Sequence, residues 1–221
     1  MSRLAPVLRV LLFGSLVCFG MLGARQVRAH SLELSFFYGN LLLAWIPLCL
    51  SLLLRRMEGE GGWKRGGFWL AGLLWVCFYP NSFYIVTDFF HLPQFGLQGQ
   101  PFWYDMMVAA SFAFAGVFLG SLALYLLHLV FRERFGYRAG WVFSVVMLAL
   151  GSFGIYVGRF LRWNSWEVFT QPWKLWGHVP QLVGESNRVA AFSITFFFFS
   201  LMAYFFVVAM ARLHEDEVRT P

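Results

Sequence analysis

The sequence predicts an all-α bundle that crosses a membrane with about six helices. Hydrophobic residues make up 59% of the 221 positions, charged residues make up only 13%, and the mean hydropathy is +0.64. A soluble domain would carry roughly a quarter charged residues. Several uncharged apolar runs also reach the ~20 residues that a helix needs to cross a bilayer. We therefore expect a polytopic integral membrane protein and exclude a soluble domain.

The apolar runs predict six spans within a single transmembrane domain, residues 1–221. The spans are 5–23, 33–54, 68–88, 104–131, 140–158 and 189–211. Their connections are short except for residues 159–188, which contain Trp163, Trp166, Trp173 and Trp176. Because tryptophan is enriched where a membrane meets water, this segment is predicted to be an outer interfacial loop. Stacking of these rings on a ligand is the alternative.

The first span also resembles a secretory signal peptide. Arg3 and Arg9 precede its apolar core, and Val27–Ala29 would suit a cleavage site. Two further arginines, Arg25 and Arg28, follow the core directly, which is unusual for a cleaved signal. A retained span is therefore the favoured interpretation, and cleavage is the alternative.

The distribution of Lys and Arg predicts that both termini lie in the cytoplasm. With six spans, eleven basic residues fall on the side of the termini and six on the other side, and basic residues favour the cytoplasmic side. The loop 91–102 contains no Lys or Arg, as expected outside. The net charge of +6 comes from clusters that flank the spans, so the expected partner is the lipid bilayer and not a nucleic acid.

Small residues in the spans are predicted to serve helix packing. The three cysteines lie in apolar runs and form no CxxC pair, which favours small buried side chains over a disulfide or zinc site; they are Cys18, Cys49 and Cys77. Gly116 and Gly120 in the fourth span, and Gly154 and Gly158 in the fifth, have the spacing of close helix contacts.

A polar stripe in the third span predicts a functional site. Its members are three, four and three residues apart and would share one helix face; they are Asn81, Tyr84, Asp88 and His91. Ionisable groups at membrane depth are costly and usually mark a site or a pathway. Pro80 interrupts the span just before the stripe. It predicts either a kink repaired by neighbouring polar groups or a broken helix that lines a cavity.

Asp88, His91 and Asp105 are the candidate catalytic residues. Asp105 opens the fourth span, a short hairpin after His91, so it could join the other two. The carboxylates would act as general bases or metal ligands, and His91 as a general acid or base. A divalent metal ion is the candidate cofactor, although HExxH and cysteine ligands are absent. A helix N-cap explains Asp105 without chemistry.

Two arginines at the end of the fifth span allow two interpretations. Arg159 and Arg162 could pair with Asp88, Asp105 or Glu167 across helices, because unpaired charges at that depth are costly. They could instead hold a phosphate or carboxylate headgroup, which the guanidinium fork matches. The candidate substrate-binding residues are Asn81, Tyr84, Tyr104, Arg159, Arg162, Trp163 and Asn164. His128, near the cytoplasmic end of the fourth span, is expected at the membrane interface.

Four segments resemble a bacterial family of multi-pass membrane proteins, catalogued as domain of unknown function 1361. They are NLLLAWIPLCLS (40–51), FYPNSFYIVTDFFHL (78–92), WYDMM (103–107) and FGIYVGRFLRWNSWE (153–167). The family's signature positions would be Pro80, Asn81, Tyr84, Asp88, His91, Trp103, Tyr104, Asp105, Arg159, Arg162, Trp163, Asn164 and Trp166. The resemblance implies a bacterial cytoplasmic (inner) membrane protein and implies no particular reaction.

Three classes of function fit these patterns. The first is an enzyme at the outer leaflet that acts on a lipid-like or otherwise amphipathic substrate, with an amphipathic or anionic small molecule as the expected partner. The second is a small proton-coupled transporter in which Asp88 titrates, although we detect no inverted repeat. The third is an accessory or scaffold subunit whose polar residues only join helices. A cavity lined by the candidate residues would favour the enzyme, and full pairing without a cavity would favour the scaffold.

Overall fold

The computed structural model describes residues 4–91, 102–163, 167–171 and 173–219. All regular structure in this described part is helical. The α-helices are α1 (Ala5–Ala29), α2 (Phe36–Gly59), α3 (Gly66–Phe78), α4 (Pro80–Tyr84), α5 (Phe102–Phe135), α6 (Tyr137–Phe160), α7 (Glu167–Thr170), α8 (Trp173–Gly184) and α9 (Ser186–Arg219). Two short 3-10 segments occupy Gly62–Lys64 and Ile85–His91.

Six helical stretches in the described part are long and apolar enough to cross a membrane, which confirms the predicted fold class. They are Ala5–Ala29, Phe36–Gly59, Gly66–His91, Phe102–Phe135, Tyr137–Phe160 and Ser186–Arg212. Among these six stretches, the first departs most from its predicted end, because α1 continues past residue 23 to Ala29. It ends where His30 adopts a left-handed backbone with φ of 49°.

The third span is broken at Pro80, as its sequence predicts. Proline lacks the N–H that would continue the helix, so α3 ends at Phe78 and the five-residue α4 begins at Pro80. The Asn81 amide donates a 3.1 Å hydrogen bond to the Phe78 carbonyl. Polar repair of the break is therefore present. After Tyr84 the chain tightens into a 3-10 helix that carries Asp88 and His91.

The first glycine pair brings α5 against α4. A Cβ on Gly116 would collide with the Ser82 carbonyl oxygen, and a Cβ on Gly120 would lie 2.6 Å from the Phe83 ring. Neither position has room for a larger side chain. The predicted close helix contact at this pair is therefore confirmed.

The second glycine pair brings α6 against the other part of α4. A Cβ on Gly154 would lie 2.9 Å from Pro80 Cγ, and a Cβ on Gly158 would lie 3.4 Å from the Tyr84 ring. This contact is confirmed as well. The short helix α4 is thus held between the glycine faces of two long helices.

The apolar core has two parts that share α5. Phe112 and Leu119 of α5 pack with α1 and α2, whereas Leu124 and Leu127 pack with α3, α6 and α9. A serine joins two helices across this core: the Ser51 hydroxyl of α2 donates a 2.9 Å hydrogen bond to the Ala123 carbonyl of α5. Such hydrogen bonds are typical of helix contacts in membranes.

His128, which is predicted near the membrane interface, is buried among the helices of the bundle. Its residue surface is only 2% exposed, because α5 extends beyond it to Phe135 and is surrounded by other helices. The Tyr204 hydroxyl lies 2.8 Å and the Ser144 Oγ 3.0 Å from its Nδ1 atom. The three side chains form a buried polar cluster that joins α5, α6 and α9.

Tyr204→Phe should lower the free energy of unfolding by about 1 kcal/mol, because the change removes one buried hydroxyl from this cluster. The measurement is thermal unfolding of the purified protein in a neutral maltoside detergent. Tyr137→Phe is the matched control, since that hydroxyl is exposed and its removal should change stability by less than about 0.5 kcal/mol. Equal losses in the two variants would contradict a structural role for the cluster.

Candidate functional site

One end of the bundle collects most of the predicted site residues. It is formed by the 3-10 segment Ile85–His91, the first turn of α5, the last turn of α6 and the start of α9. Contacts between Asp88 and Arg159, and between Tyr156 and Glu185, join these elements. We call it the cleft end.

A cleft of about 760 Å³ opens at the cleft end. Its described lining residues are Tyr84, Phe90, His91, Gly158, Arg159, Phe160, Arg162 and Arg188. Four of them are predicted site residues: Tyr84, His91, Arg159 and Arg162. No acidic residue is among those described in the lining. Three arginines and one histidine therefore line the cleft together with aromatic residues.

The end of α6 places two of the arginines. Arg159 lies in its last turn, and Arg162 follows the helix in a left-handed conformation with φ of 53°. Glycine usually occupies that position, because a Cβ there is strained by about 1–2 kcal/mol. The fold thus holds an arginine where the backbone favours a glycine, and unfavourable conformations of this kind cluster at functional sites.

Arg159 connects the cleft with a buried carboxylate. Its Nη1 atom lies 3.4 Å from Asp88 Oδ1, which is one of the pairings that the sequence allows. Its guanidinium carbon lies 5.9 Å from the centre of the Tyr84 ring and 5.5 Å from that of the Phe90 ring. Contacts with ring faces orient a guanidinium group. The guanidinium group of Arg159 is therefore positioned by an ion pair with Asp88 and by contacts with the rings of Tyr84 and Phe90.

Asp88 lies behind the cleft and is only 1% exposed. Its Oδ2 atom accepts a 2.7 Å hydrogen bond from the Asn40 amide of α2, and Oδ1 faces Arg159. Both carboxylate oxygens thus have partners in other helices. In this arrangement Asp88 can position Arg159.

Arg188 reaches the cleft from the start of α9. Its guanidinium carbon lies 4.7 Å from the centre of the Phe160 ring, and its Nη1 lies 3.5 Å from Glu185 Oε2. The same carboxylate oxygen accepts a 3.1 Å hydrogen bond from the Tyr156 hydroxyl of α6. These contacts fix the start of α9 against the end of α6.

Asp105 is held in a different cluster. Its carboxylate accepts hydrogen bonds from Arg25 Nε at 3.1 Å and from Arg25 Nη2 at 3.2 Å. Both residues are 1% exposed, and Glu33 Oε2 lies 3.7 Å from the same guanidinium group. The extra turns of α1 place Arg25 opposite Asp105. Cleavage after Ala29 would remove Arg25 and leave this buried carboxylate without its cation.

The structure does not bring the three candidate metal ligands together. Asp105 faces Arg25, whereas Asp88 faces Arg159 and Asn40, and His91 lines the cleft. Within the described ranges, no group of three His, Cys, Asp or Glu side chains is arranged to hold a metal ion. Asp105 does not lie with Asp88 and His91, because both of its carboxylate oxygens bond to Arg25 of α1.

Three other candidate residues, Asn81, Tyr104 and Trp163, are not among the described lining residues of the cleft. Asn81 bonds to the Phe78 carbonyl, and the Tyr104 hydroxyl donates to the Met21 carbonyl of α1 at 2.9 Å. Trp163 is half-buried beside Arg162. Asn164 is a further candidate, and it lies outside the described residues, as does the signature position Trp166.

The sequence reasoning missed several residues that build this end of the molecule: Arg25, Asn40, Phe90, Phe160 and Arg188. A signal was present for the two arginines. Both fall on the side predicted to be outside, where basic residues are disfavoured. Arginines on that side need another reason to be there, and their contacts with Asp105, Phe160 and Glu185 supply one.

Comparison with known proteins gives a family and no function. No curated protein and no solved structure matches the chain. A family model described as a protein of unknown function (DUF1361) matches residues 39–203. This range contains α3 to α8, most of α2 and the start of α9, and every described lining residue of the cleft. Because the match covers most of its 221 residues, the chain belongs to the DUF1361 family.

Proposed function

We propose that this protein binds the anionic headgroup of an amphipathic molecule in the cleft. The observation that carries the proposal is the lining itself, in which Arg159, Arg162 and Arg188 surround one space with His91. The charge distribution along the chain predicts that the cleft end is extracytoplasmic. The headgroup would then be taken from the outer face of the membrane.

The chemistry of the arginines supports an anion. Guanidinium groups remain charged and match the oxygen pairs of carboxylates and phosphates. The arginines also complement the negative end of the α6 dipole, which is a structural reason for one basic residue there. That reason does not extend to Arg188, which belongs to α9 and still faces the same cleft.

The aromatic walls support an amphipathic molecule. Tyr84, Phe90 and Phe160 line the cleft together with the basic residues. A volume of about 760 Å³ lies within the ~300–1,000 Å³ of clefts that hold drug-sized ligands. A ligand with one charged group and one apolar part would match both kinds of surface.

An enzymatic role is a second candidate, and His91 is the observation that favours it. An imidazole that lines a cleft beside two arginines can donate or accept a proton at a bound anion. Asp88 and Asp105 would then act by positioning arginines instead of contacting substrate. Catalysis would require that His91→Gln abolishes turnover of a bound substrate while its affinity changes little.

Arg162→Gly is the sharpest test of binding. The purified protein, kept in a neutral maltoside detergent, is titrated with oleate, with lysophosphatidic acid and with uncharged mono-oleoylglycerol. At least one anionic probe should bind more tightly than the uncharged one. Loss of one charge-assisted contact should weaken that binding by about tenfold or more. Glycine relieves the left-handed strain, so thermal stability should stay equal or rise by about 1 kcal/mol.

Arg56→Gln is the matched control. This exposed arginine lies in the last turn of α2, whereas the start of α2 carries Asn40, the partner of Asp88, so the change should leave binding unchanged. Wild-type affinity in the Arg162→Gly variant would contradict a binding role for the cleft. Absence of any preference for the anionic probes would do the same and would favour an accessory subunit.

A further inference from the structure

We infer that the ligand of the cleft is a lipid phosphate ester, held through its phosphate by Arg159 and Arg162 and entering sideways from the bilayer past Phe90. This inference rests on the proposed function, since it names the class of headgroup and the route to the cleft.

The Arg25–Asp105 pair shows how one guanidinium group in this protein binds a carboxylate. Arg25 alone reaches both oxygens of Asp105, at 3.1 and 3.2 Å. A carboxylate has two oxygens, so one guanidinium fork satisfies it. The cleft is instead lined by three arginines from separate positions in the chain. Arg159 belongs to α6, Arg162 follows α6, and Arg188 belongs to α9. A phosphate ester has more acceptor oxygens in a tetrahedral arrangement and can bond to cations on several sides.

The partners of these arginines limit the charge of the ligand. Arg159 faces Asp88 at 3.4 Å, and Arg188 faces Glu185 at 3.5 Å. Neither carboxylate is among the described lining residues, but each offsets part of the positive charge from behind. A polyanion such as a triphosphate would then lack full compensation, and uncompensated charge is costly away from water. One phosphate group suits the site better.

The walls of the cleft distinguish a lipid from a free phosphate ion. A single phosphate ion would fill only a small part of 760 Å³ and would leave the rings of Tyr84 and Phe160 without a partner. Phe90 is 58% exposed and belongs to the membrane-spanning stretch Gly66–His91. In a membrane, the exposed face of a span contacts lipid. Phe90 therefore offers acyl chains an apolar ring that both lines the cleft and is exposed on a membrane-spanning stretch.

The test compares four probes on the full-length protein in maltoside detergent: lysophosphatidic acid, oleate, glycerol 3-phosphate and inorganic phosphate. Lysophosphatidic acid should bind about tenfold or more tightly than oleate, because its additional oxygens engage additional guanidinium groups. Glycerol 3-phosphate and inorganic phosphate should displace it only at far higher concentrations. Arg159→Gln and Arg162→Gly should reduce the affinity for lysophosphatidic acid more than the affinity for oleate.

Phe90→Ala tests the entry route. It should weaken the binding of lysophosphatidic acid by a larger factor than that of glycerol 3-phosphate, which would feel the change only through the contact of Phe90 with Arg159. Phe153→Ala, which removes an exposed ring on α6 outside the described cleft lining, should change the binding of neither probe. Oleate binding as tightly as lysophosphatidic acid, with Arg162→Gly still harmful, would overturn the phosphate assignment and leave the proposed function standing. Inorganic phosphate binding as tightly as the lipid would overturn the lipid assignment. Failure of both anionic amphipaths to bind would overturn both proposals.

Discussion

Replacing Arg25 with Met should lower the free energy of unfolding by about 3–5 kcal/mol, the largest effect we expect from a single substitution. Arg25 and Asp105 are each 1% exposed, and Arg25 supplies two hydrogen bonds to the carboxylate. Without Arg25, the Asp105 charge would remain buried without a cation. Asp105→Leu should have a similar effect, because it would leave the buried Arg25 guanidinium without this carboxylate. Thermal unfolding in maltoside detergent measures both losses.

The double variant Arg25→Met with Asp105→Leu should recover most of this loss, because replacing both members of a buried ion pair with apolar side chains is often neutral. Glu33→Gln is the control, since Glu33 is 26% exposed and lies at the longer distance of 3.7 Å from Arg25. It should cost less than about 1 kcal/mol. A double variant as unstable as the sum of the two single variants would contradict a pairwise role.

The second large effect should follow from Gly116→Ala or Gly120→Ala, each of which should cost about 1–3 kcal/mol. The new methyl group would meet the Ser82 backbone in one case and the Phe83 ring in the other. Backbone atoms in a packed helix cannot move aside as the end of a flexible side chain can, so Gly116→Ala should be the more harmful. Thermal unfolding again provides the measurement.

Gly72→Ala is the matched control, because no atom lies within 4 Å of the Cβ it would add. In the interior of α3 that change should stabilise the protein by up to about 1 kcal/mol. The sign of the effect should therefore differ between helical glycines of one protein. A stability gain in Gly116→Ala would show that α4 is free to move away from α5.

The sequence predicts the helices well and their partners less well. Hydrophobic runs long enough to cross a bilayer determine the six spans, and the spacing of Gly116 and Gly120 predicts their close contact. The pairing of Arg159 with a carboxylate is also expected, because charges at membrane depth need partners, but the argument leaves Asp88, Asp105 and Glu167 open. Each of these arguments uses local spacing or a general energetic cost.

The partner of Asp105 could not be predicted in the same way. Five arginines lie on the predicted outer side, and periodicity within one helix does not say which neighbouring helix Asp105 faces. The length of α1 determines which arginine pairs with Asp105, because the continuation of α1 to Ala29 places Arg25 beside the first turn of α5. A hydropathy run ends where charges begin, so it places the end of such a helix too early.

The Arg25–Asp105 pair also constrains how the protein is made. Its two members are 80 residues apart in the chain, and ribosomes add about 5–20 residues per second, so Asp105 is synthesised about 4–16 s after Arg25. During that interval the arginine is without this carboxylate, and we expect its long side chain to keep the guanidinium among the lipid headgroups. We therefore expect α1 to settle against α5 only after the fourth span has been synthesised.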